Sequence, residues 1–141
     1  ICLKEAMAPE FKVYAQNVRK NAAALAEALV KNGFDLISGG TDNHLMLVDL
    51  RSRGITGKEL QDKLDEVHIT INKNAIPNDP QKPSLTSGVR IGTPAATTRG
   101  FTAEDMPAIA ECIRMIADDF EGNRLKVEET VAGLTAKHPM Y

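Results

Sequence analysis

The sequence predicts an α+β fold of two layers, in which helices cover a small, mainly antiparallel sheet. Apolar residues recur at steps of three and four toward both ends of the chain, as in amphipathic helices. The middle of the chain instead holds short apolar runs bounded by glycine, proline and asparagine, which is typical of strands. The predicted order of elements is α-β-β-α-β-β-α-α, and 141 residues with 43% hydrophobic content suffice for one core.

The chain begins inside a predicted helix, at Ile1 and without an initiator methionine. Pro9 is expected to kink or restart this helix, and Gly33 is expected to cap its C-terminus. Residues 1–32 are predicted to be a long helix that links back to a part of the protein missing from this chain, and residues 33–141 the domain that follows it. The expected apolar stripe of the helix comprises Met7, Phe11, Tyr14, Val18, Ala22, Leu25 and Leu29.

The four predicted strands cover residues 34–39, 44–50, 69–72 and 88–92. The first two indicate a hairpin, with Thr41 to His44 in a structured turn rather than in catalytic machinery. Thr56 and Glu59 form a capping box that begins the helix between the second and third strands. Thr102 and Asp105 are expected to open the next helix. A last helix is expected after Gly122-Asn123, with Leu125, Val127, Val131 and Leu134 on its apolar face.

Composition and charge exclude several classes of function. Seventeen basic and nineteen acidic residues give a net charge of −2, which offers no general attraction to nucleic acid or to an anionic membrane. Without tryptophan, and with two tyrosines and four phenylalanines, the chain has no aromatic platform for stacking bases. Its three histidines lack the spacing of metal ligands, and no apolar run is long enough to cross a bilayer.

Cys2 and Cys112 show neither a CxxC nor a Cys/His spacing. We expect both thiols to be reduced and buried as small apolar side chains. Together with the lack of a signal peptide in front of the fold, this favours a cytoplasmic location.

Arg90 lies between Val89 and Ile91 in the run "TSGVRIGTPA", which otherwise reads as a short buried strand. A solvated strand arginine is one interpretation, and a guanidinium that binds an anion is the other. The run follows a connection of more than a dozen residues that holds three prolines. Loops of this length are usually functional or disordered, and prolines favour a pre-shaped wall over an ordinary surface loop. Because the loop ends where the Arg90 strand begins, we expect both to line one cavity.

Three segments, in this order, resemble the C-terminal part of the serine hydroxymethyltransferases: "SGGTDNHLMLVDL", "GKELQDKLDEVHITINKNAIPNDPQKP" and "TSGVRIGTPAATTRGF". The similarity extends over essentially the whole chain. It implies that residues 33–141 are the small C-terminal domain of a fold-type I transferase that depends on pyridoxal 5'-phosphate. It also implies that the helix of residues 1–32 links this domain to an N-terminal large domain missing from this chain. It also implies an enzyme that interconverts serine and glycine with transfer of a one-carbon unit to tetrahydrofolate, as a homodimer or tetramer.

The resemblance implies roles for individual residues. Arg90 matches the family's arginine that binds the α-carboxylate of serine or glycine, and a guanidinium pairs with a carboxylate through two parallel hydrogen bonds. Asn74 matches the asparagine that hydrogen-bonds the pterin ring, and Lys73 is placed to reach the glutamate tail. The segment expected to lie against the folate comprises Lys82, Pro83 and Ser84, with backbone contact at Ser84.

Other family motifs have no counterpart in this chain. The "T-T-H-K" segment with the cofactor lysine is absent, as are the histidine that stacks on the cofactor ring and the aspartate that pairs with its nitrogen. We therefore assign no catalytic residue and no metal ligand to this segment, and expect the chain alone to be inactive. The alternative is a stand-alone α+β module that binds a small carboxylate without catalysis.

Overall fold

The computed structural model describes residues 1–140 of the chain. These residues form a four-stranded sheet with helices on one face. Its helices are α1 (Cys2–Ala6), α2 (Pro9–Lys31), α3 (Gly57–Glu66), α4 (Pro94–Thr98), α5 (Met106–Asp118) and α6 (Phe120–Lys137). Its strands are β1 (Asp35–Leu36), β2 (Leu45–Asp49), β3 (Asn72–Asn74) and β4 (Gly88–Gly92). The predicted α+β class is confirmed, with α1 and α4 as short helices that the predicted order did not contain.

The strands lie in the order β1-β2-β4-β3, and every neighbouring pair is antiparallel. β4 pairs with β2 from Gly92 opposite Leu45 to Gly88 opposite Asp49. Since side chains alternate along a strand, one face of the sheet enters the core. The buried residues of β2 and β4 on that face are Met46, Val48, Val89 and Ile91. The predicted fourth strand is confirmed, and β1 and β2 pair as the predicted hairpin requires, but β1 is only the two residues Asp35–Leu36 instead of 34–39.

The third strand lies later in the chain than predicted, at Asn72–Asn74 instead of residues 69–72. The residues before it close α3, because His68 takes a left-handed φ of 63° and the N–H of Ile69 donates to the carbonyl of Leu64 at 2.9 Å. Ile71 is buried in the core. The apolar run thus marks a core contact after the helix, and pairing with β4 begins only at Asn72.

α2 begins at Pro9 and ends just before Gly33, as predicted. Gly33 has a φ of 77°, a left-handed conformation that glycine adopts at little cost. The N–H of Phe34 then donates to the carbonyl of Leu29 at 3.0 Å, which closes the last turn of the helix.

The apolar stripe predicted for the first helix is only partly buried. It is buried from Val18 to Leu29, where α2 packs on α5 and α4. Met7 and Phe11, by contrast, are 86% and 44% exposed, so the first part of the stripe finds no partner within residues 1–140. The division of the chain at residue 33 stays a prediction, although the second half of α2 belongs to the core shared with the sheet.

α6 begins at Phe120 and contains Gly122 and Asn123, which were expected to precede it. Asp119 is the reason: its side chain accepts a hydrogen bond from the N–H of Gly122 at 3.1 Å and caps the helix one turn earlier. Leu125, expected on the apolar face, is 75% exposed. The helix therefore packs through Val127 and Val131, which are buried.

The end of α6 is fastened to the start of α5 by the buried carboxylate of Asp105. Asp105 accepts hydrogen bonds from the N–H and hydroxyl of Thr102, as the predicted start of this helix requires, and from Lys137 at 2.8 Å. Nε2 of His138 lies 3.0 Å from the same carboxylate. Burial opposes the charge, but the hydrogen bonds from Lys137 and Thr102 and the charges of Lys137 and His138 lower the pKa of Asp105 to about 2.

Both cysteines are free, but only one is buried. Burial raises the pKa of the Cys112 thiol, in agreement with the expected apolar role. The expectation for Cys2 was wrong: it is exposed, because α1 contacts little besides the start of α2. Among the helices of residues 1–140, none is both long and apolar enough to span a bilayer.

Candidate functional site

Arg90 occupies the middle of β4, with Leu47 of β2 opposite on one side and Asn72 of β3 on the other. Its neighbours Val89 and Ile91 are 0% and 6% exposed and face the helices. Alternation of side chains turns Arg90 to the other face, where it is exposed. We call this side of the sheet, which lies away from the helices, the open face; Ile76 of the following loop covers it at Gly88. Its members on β2, β3 and β4 are Leu45, Leu47, Asp49, Asn72, Asn74, Gly88, Arg90 and Gly92.

The guanidinium of Arg90 is uncommitted within residues 1–140: it forms neither a hydrogen bond nor an ion pair there. Every other arginine has an acceptor. Those pairs are Arg19 with the Asp42 carbonyl, Arg51 with Asp49, Arg53 with Asp118, Arg99 with the His138 carbonyl, Arg114 with Glu111 and Arg124 with Glu128. A strand arginine whose fork of donors faces solvent from a fixed backbone is suited to bind a carboxylate through two parallel hydrogen bonds.

Asn74 lies on the same open face as Arg90. It pairs with Gly88, so Asn74 and Arg90 are diagonal neighbours across β3 and β4, a relation that separates residues by about 7–8 Å. One N–H of the Asn74 amide donates to the carbonyl of Ala75 at 2.8 Å. Its amide oxygen accepts no hydrogen bond from the residues that the structure describes. The structure therefore brings the two principal predicted contacts together.

Lys73 does not share that face. It lies opposite Val89, and therefore on the helix side at the edge of the sheet. Its backbone N–H donates to the side chain of Gln61 on α3 at 2.8 Å, which fixes this part of β3 against the helix. A contact between Lys73 and a folate tail stays a prediction, because Lys73 does not lie on the open face with Arg90 and Asn74.

Lys82, Pro83 and Ser84 form an exposed turn in the loop between β3 and β4. The carbonyl of Lys82 accepts hydrogen bonds from the N–H groups of Leu85 at 2.9 Å and Thr86 at 3.0 Å. These bonds fix the backbone of the turn and leave the three side chains exposed. Their predicted contact with folate stays a prediction.

The end of this loop is docked on the start of α3. The N–H groups of Gly57 and Lys58 donate to the carbonyls of Thr86 and Leu85 at 3.0 and 2.9 Å. These are first-turn donors that have no partner inside the helix. Thr56 of the predicted capping box supplies the next acceptor, since its hydroxyl accepts from the N–H of Glu59 at 3.2 Å; the Glu59 carboxylate instead pairs with Lys63 at 2.7 Å.

Asp79 is the residue of this loop that the sequence interpretation missed. Its carboxylate accepts hydrogen bonds from the N–H groups of Ile76 at 3.2 Å, Gln81 at 2.9 Å and Ser87 at 2.9 Å. The run "NDP" was a usable signal, because an aspartate before a proline often hydrogen-bonds the backbone two residues later in a turn. Its bond to Ser87, eight residues away along the chain, depends on the folded loop and has no signature in the sequence.

The turn from Thr41 to His44 is structural, as expected. The Thr41 hydroxyl donates to the carbonyl of Leu45 at 2.6 Å, and the side-chain oxygen of Asn43 accepts from the N–H of Leu45 at 3.0 Å. These bonds shape the connection between β1 and β2.

Covalent attachment of pyridoxal phosphate needs a lysine with a lowered pKa in a sheltered position. None of the lysines in residues 1–140 is buried. The hydrogen bond to Asp105 raises the pKa of Lys137, which is the opposite of the required change. No lysine among the described residues therefore lies in a position suited to covalent attachment of this cofactor. Nor do any three histidine, cysteine or carboxylate side chains among them come close enough to share a metal ion.

Comparison with protein-family models gives a match to the family described as serine hydroxymethyltransferase, over residues 1–113. The matched range contains the whole sheet, α1 to α4, Arg90 and the loop with Asp79, and it ends inside α5. The similarity expected for the rest of α5 and for α6 lies outside that range and stays a prediction. With most of its length matched, the chain belongs to the serine hydroxymethyltransferase family.

Proposed function

We propose that this chain is the small C-terminal domain of a serine hydroxymethyltransferase, and that it supplies the substrate-carboxylate arginine and part of the folate site. Membership of the family implies a transferase of one-carbon metabolism that acts on serine and glycine, with pyridoxal phosphate and tetrahydrofolate in the full enzyme. The observation that supports the finer assignment is the uncommitted guanidinium of Arg90 on the open face.

Arg90 binds the amino acid by its carboxylate. The two parallel hydrogen bonds fix both the position and the rotation of the substrate, which a single point charge does not do. Each charge-assisted bond of this kind contributes about 1.5–3 kcal/mol. β4 is paired on both sides, so the guanidinium extends from a backbone that is already in place. The bond-breaking chemistry belongs to the cofactor, which other parts of the enzyme hold.

Asn74 and the turn of Lys82, Pro83 and Ser84 form the folate side of the site. The free amide oxygen and second N–H of Asn74 offer an acceptor and a donor side by side, which matches the edge of a pterin ring. Because Asn74 shares the open face with Arg90, folate bound there approaches the amino acid from the loop side. In this proposal, the acceptor of the one-carbon unit lies beside its donor.

The proposal also includes a full-length homodimer or tetramer in the cytoplasm, with no nucleic acid or membrane as partner. The free thiols Cys2 and Cys112 are compatible with a reducing compartment. The large domain with the cofactor lysine is proposed to lie in another part of the same polypeptide.

Replacement of Arg90 by lysine in the full-length enzyme tests the proposal. The charge is kept, but the fork of donors is lost, so we expect kcat/KM for serine to fall at least about a hundredfold, or about 3 kcal/mol. Arg90 is exposed, and the fold should therefore be unaffected, as circular dichroism and cofactor absorbance will show. Arg124→Lys is the matched control, because Arg124 lies on α6 and pairs with Glu128. Near-native use of serine by Arg90→Lys would contradict the assignment.

A further inference from the structure

Asp79 joins three separate parts of the loop between β3 and β4. Ile76 lies at the beginning of the loop, Gln81 in its middle and Ser87 at its end, and all three donate a backbone N–H to the one carboxylate. Oδ2 accepts from Ile76 and Ser87, and Oδ1 accepts from Gln81. Nothing in the proposed function uses Asp79 so far.

The loop needs a side-chain acceptor of this kind. Pro77, Pro80 and Pro83 carry no N–H, so they cannot donate to a regular backbone ladder. A carboxylate accepts only, and it offers enough lone pairs for three donors. An amide of the same size would turn its NH₂ group toward at least one of the N–H groups. The position therefore requires aspartate in its ionised form.

Two residues of the loop adopt backbone conformations that need such support. Asn78, next to Asp79, has a φ of 55°, and Thr86, next to Ser87, has a φ of 58°. A left-handed conformation is strained for a β-branched residue such as threonine. Thr86 is buried, and its hydroxyl donates to the carbonyl of Gly88 at 2.9 Å. The bonds of Asp79 to both ends of the loop help to hold these conformations.

Electrostatics agree with the geometry. Partial burial acts to raise the pKa of Asp79, but hydrogen bonds from Ser87 and from the N–H groups of Gln81 and Ile76 outweigh it and hold the pKa well below its usual range. The side chain is therefore a carboxylate at any pH at which the enzyme would work.

Asp79 lies outside both strands but controls how the loop leaves one and reaches the other. Ile76 follows Asn74 by two positions, and Ser87 directly precedes β4. β4 is also held by its long pairing with β2, whereas β3 has only its short pairing with β4 and the Gln61 contact. Loss of the Asp79 bonds should therefore disturb Asn74 and the turn at Lys82–Ser84 more than it disturbs Arg90.

We propose that Asp79 is a positioning residue for the folate substrate: its carboxylate holds the β3–β4 loop in the shape that presents Asn74 and the Lys82–Ser84 turn. This inference rests on the proposed function. It assigns to Asp79 no contact with either substrate and no part in the chemistry.

Asp79→Asn in the full-length enzyme tests the proposal by a split between the two substrates. We expect the KM for tetrahydrofolate to rise about tenfold to a hundredfold, because a shift of the order of 1 Å in positioning groups has effects of this size. The KM for serine should stay within about twofold of its normal value, since β4 keeps its pairing with β2. Asp65→Asn is the matched control, because Asp65 is exposed on α3 and its side chain has no role in the loop.

An unchanged folate KM, or an equal rise in the KM values for folate and serine, would overturn the positioning role. Hydrogen exchange of the unmodified enzyme gives a second test that does not depend on the variant folding. The N–H groups of Ile76, Gln81 and Ser87 should be protected without folate, and exchange as fast as in an unstructured peptide would also refute the proposal. If the unmodified enzyme showed no folate-dependent activity, the proposed function itself would fail, which is a distinct result.

Discussion

Asn74 allows the folate side of the site to be tested with a single side chain. In the full-length enzyme, Asn74→Ala removes one amide that pairs with a neutral ring, which costs about 1–2 kcal/mol. Tetrahydrofolate affinity should fall about ten- to thirtyfold. Glycine binding, measured spectroscopically without folate, should hardly change, because Arg90 remains in place.

Asn17→Ala is a suitable control for this variant, since Asn17 is exposed on α2 far along the chain from the loop. Equal losses of glycine and folate binding in Asn74→Ala would indicate a collapsed loop instead of a lost contact. The assignment of Asn74 would then be wrong.

Single residues also show what a sequence can and cannot predict. The buried pattern of Val89 and Ile91 made it possible to place Arg90 on a strand, but not to know that it would be the arginine left without a partner. Only the folded structure shows which acceptors lie near each of the seven arginines, and hence that the other six are paired. Asp79 was missed for a similar reason, because its bond to Ser87 joins residues that only the folded loop brings together.

Substitution by alanine should have opposite effects at two helical glycines, one in contact with the loop and one with free space around it. A Cβ at Gly57 would overlap the carbonyl oxygen of Gly88 and the hydroxyl of Thr86. Gly57→Ala should therefore destabilise the protein by about 1–3 kcal/mol, as overpacking does. Gly133 lies inside α6 with nothing near its Cβ position, so Gly133→Ala should stabilise by about 0.5–1 kcal/mol.

Urea unfolding of the two variants beside the unmodified protein measures both effects. A Gly57→Ala variant as stable as the unmodified protein would mean that the loop does not lie against α3. The Gly133→Ala variant shows in the same experiment that alanine itself is well tolerated in a helix of this protein.

Local sequence signals predicted the ends of helices well, because local hydrogen bonds determine those ends. The N-cap at Thr56 and the terminal Gly33 both act as expected, because each depends on bonds within one turn. The third strand was misplaced, since an apolar run such as residues 69–71 satisfies the pattern of a strand and of a core contact equally. Only the pairing partner, β4, decides between them.

The chain as a whole should not take up its family's cofactor covalently. No lysine in residues 1–140 is buried, whereas attack on pyridoxal phosphate requires a lysine in a sheltered position. After incubation with pyridoxal phosphate and reduction with borohydride, mass spectrometry should find no stoichiometric adduct. The full-length enzyme, treated in the same way, should carry one adduct at a lysine outside this segment. A single stoichiometric site within this chain would refute the expectation.

The architecture of the molecule followed from the sequence more readily than its exposed surfaces. Periodicity predicted the buried residues of α2 from Val18 to Leu29 and the buried Val127 and Val131 of α6, because burial imposes the pattern. The same periodicity predicted burial for Met7, Phe11 and Leu125, which are exposed. An apolar stripe shows which side of a helix is able to pack, but the partner that covers it has to be found in the fold.

The unequal support of the two strands has a consequence for the entropy of binding. Arg90 lies on β4, whose backbone is paired with a strand on each side. Binding of an amino acid therefore costs little further ordering of the backbone. Asn74 lies on an edge strand of three residues that continues into a loop held by side-chain bonds. Under the proposed function, the amino acid therefore binds to a side chain on a rigid backbone. Folate binds to a less ordered surface, and the loss of conformational entropy there offsets part of the free energy of its contacts.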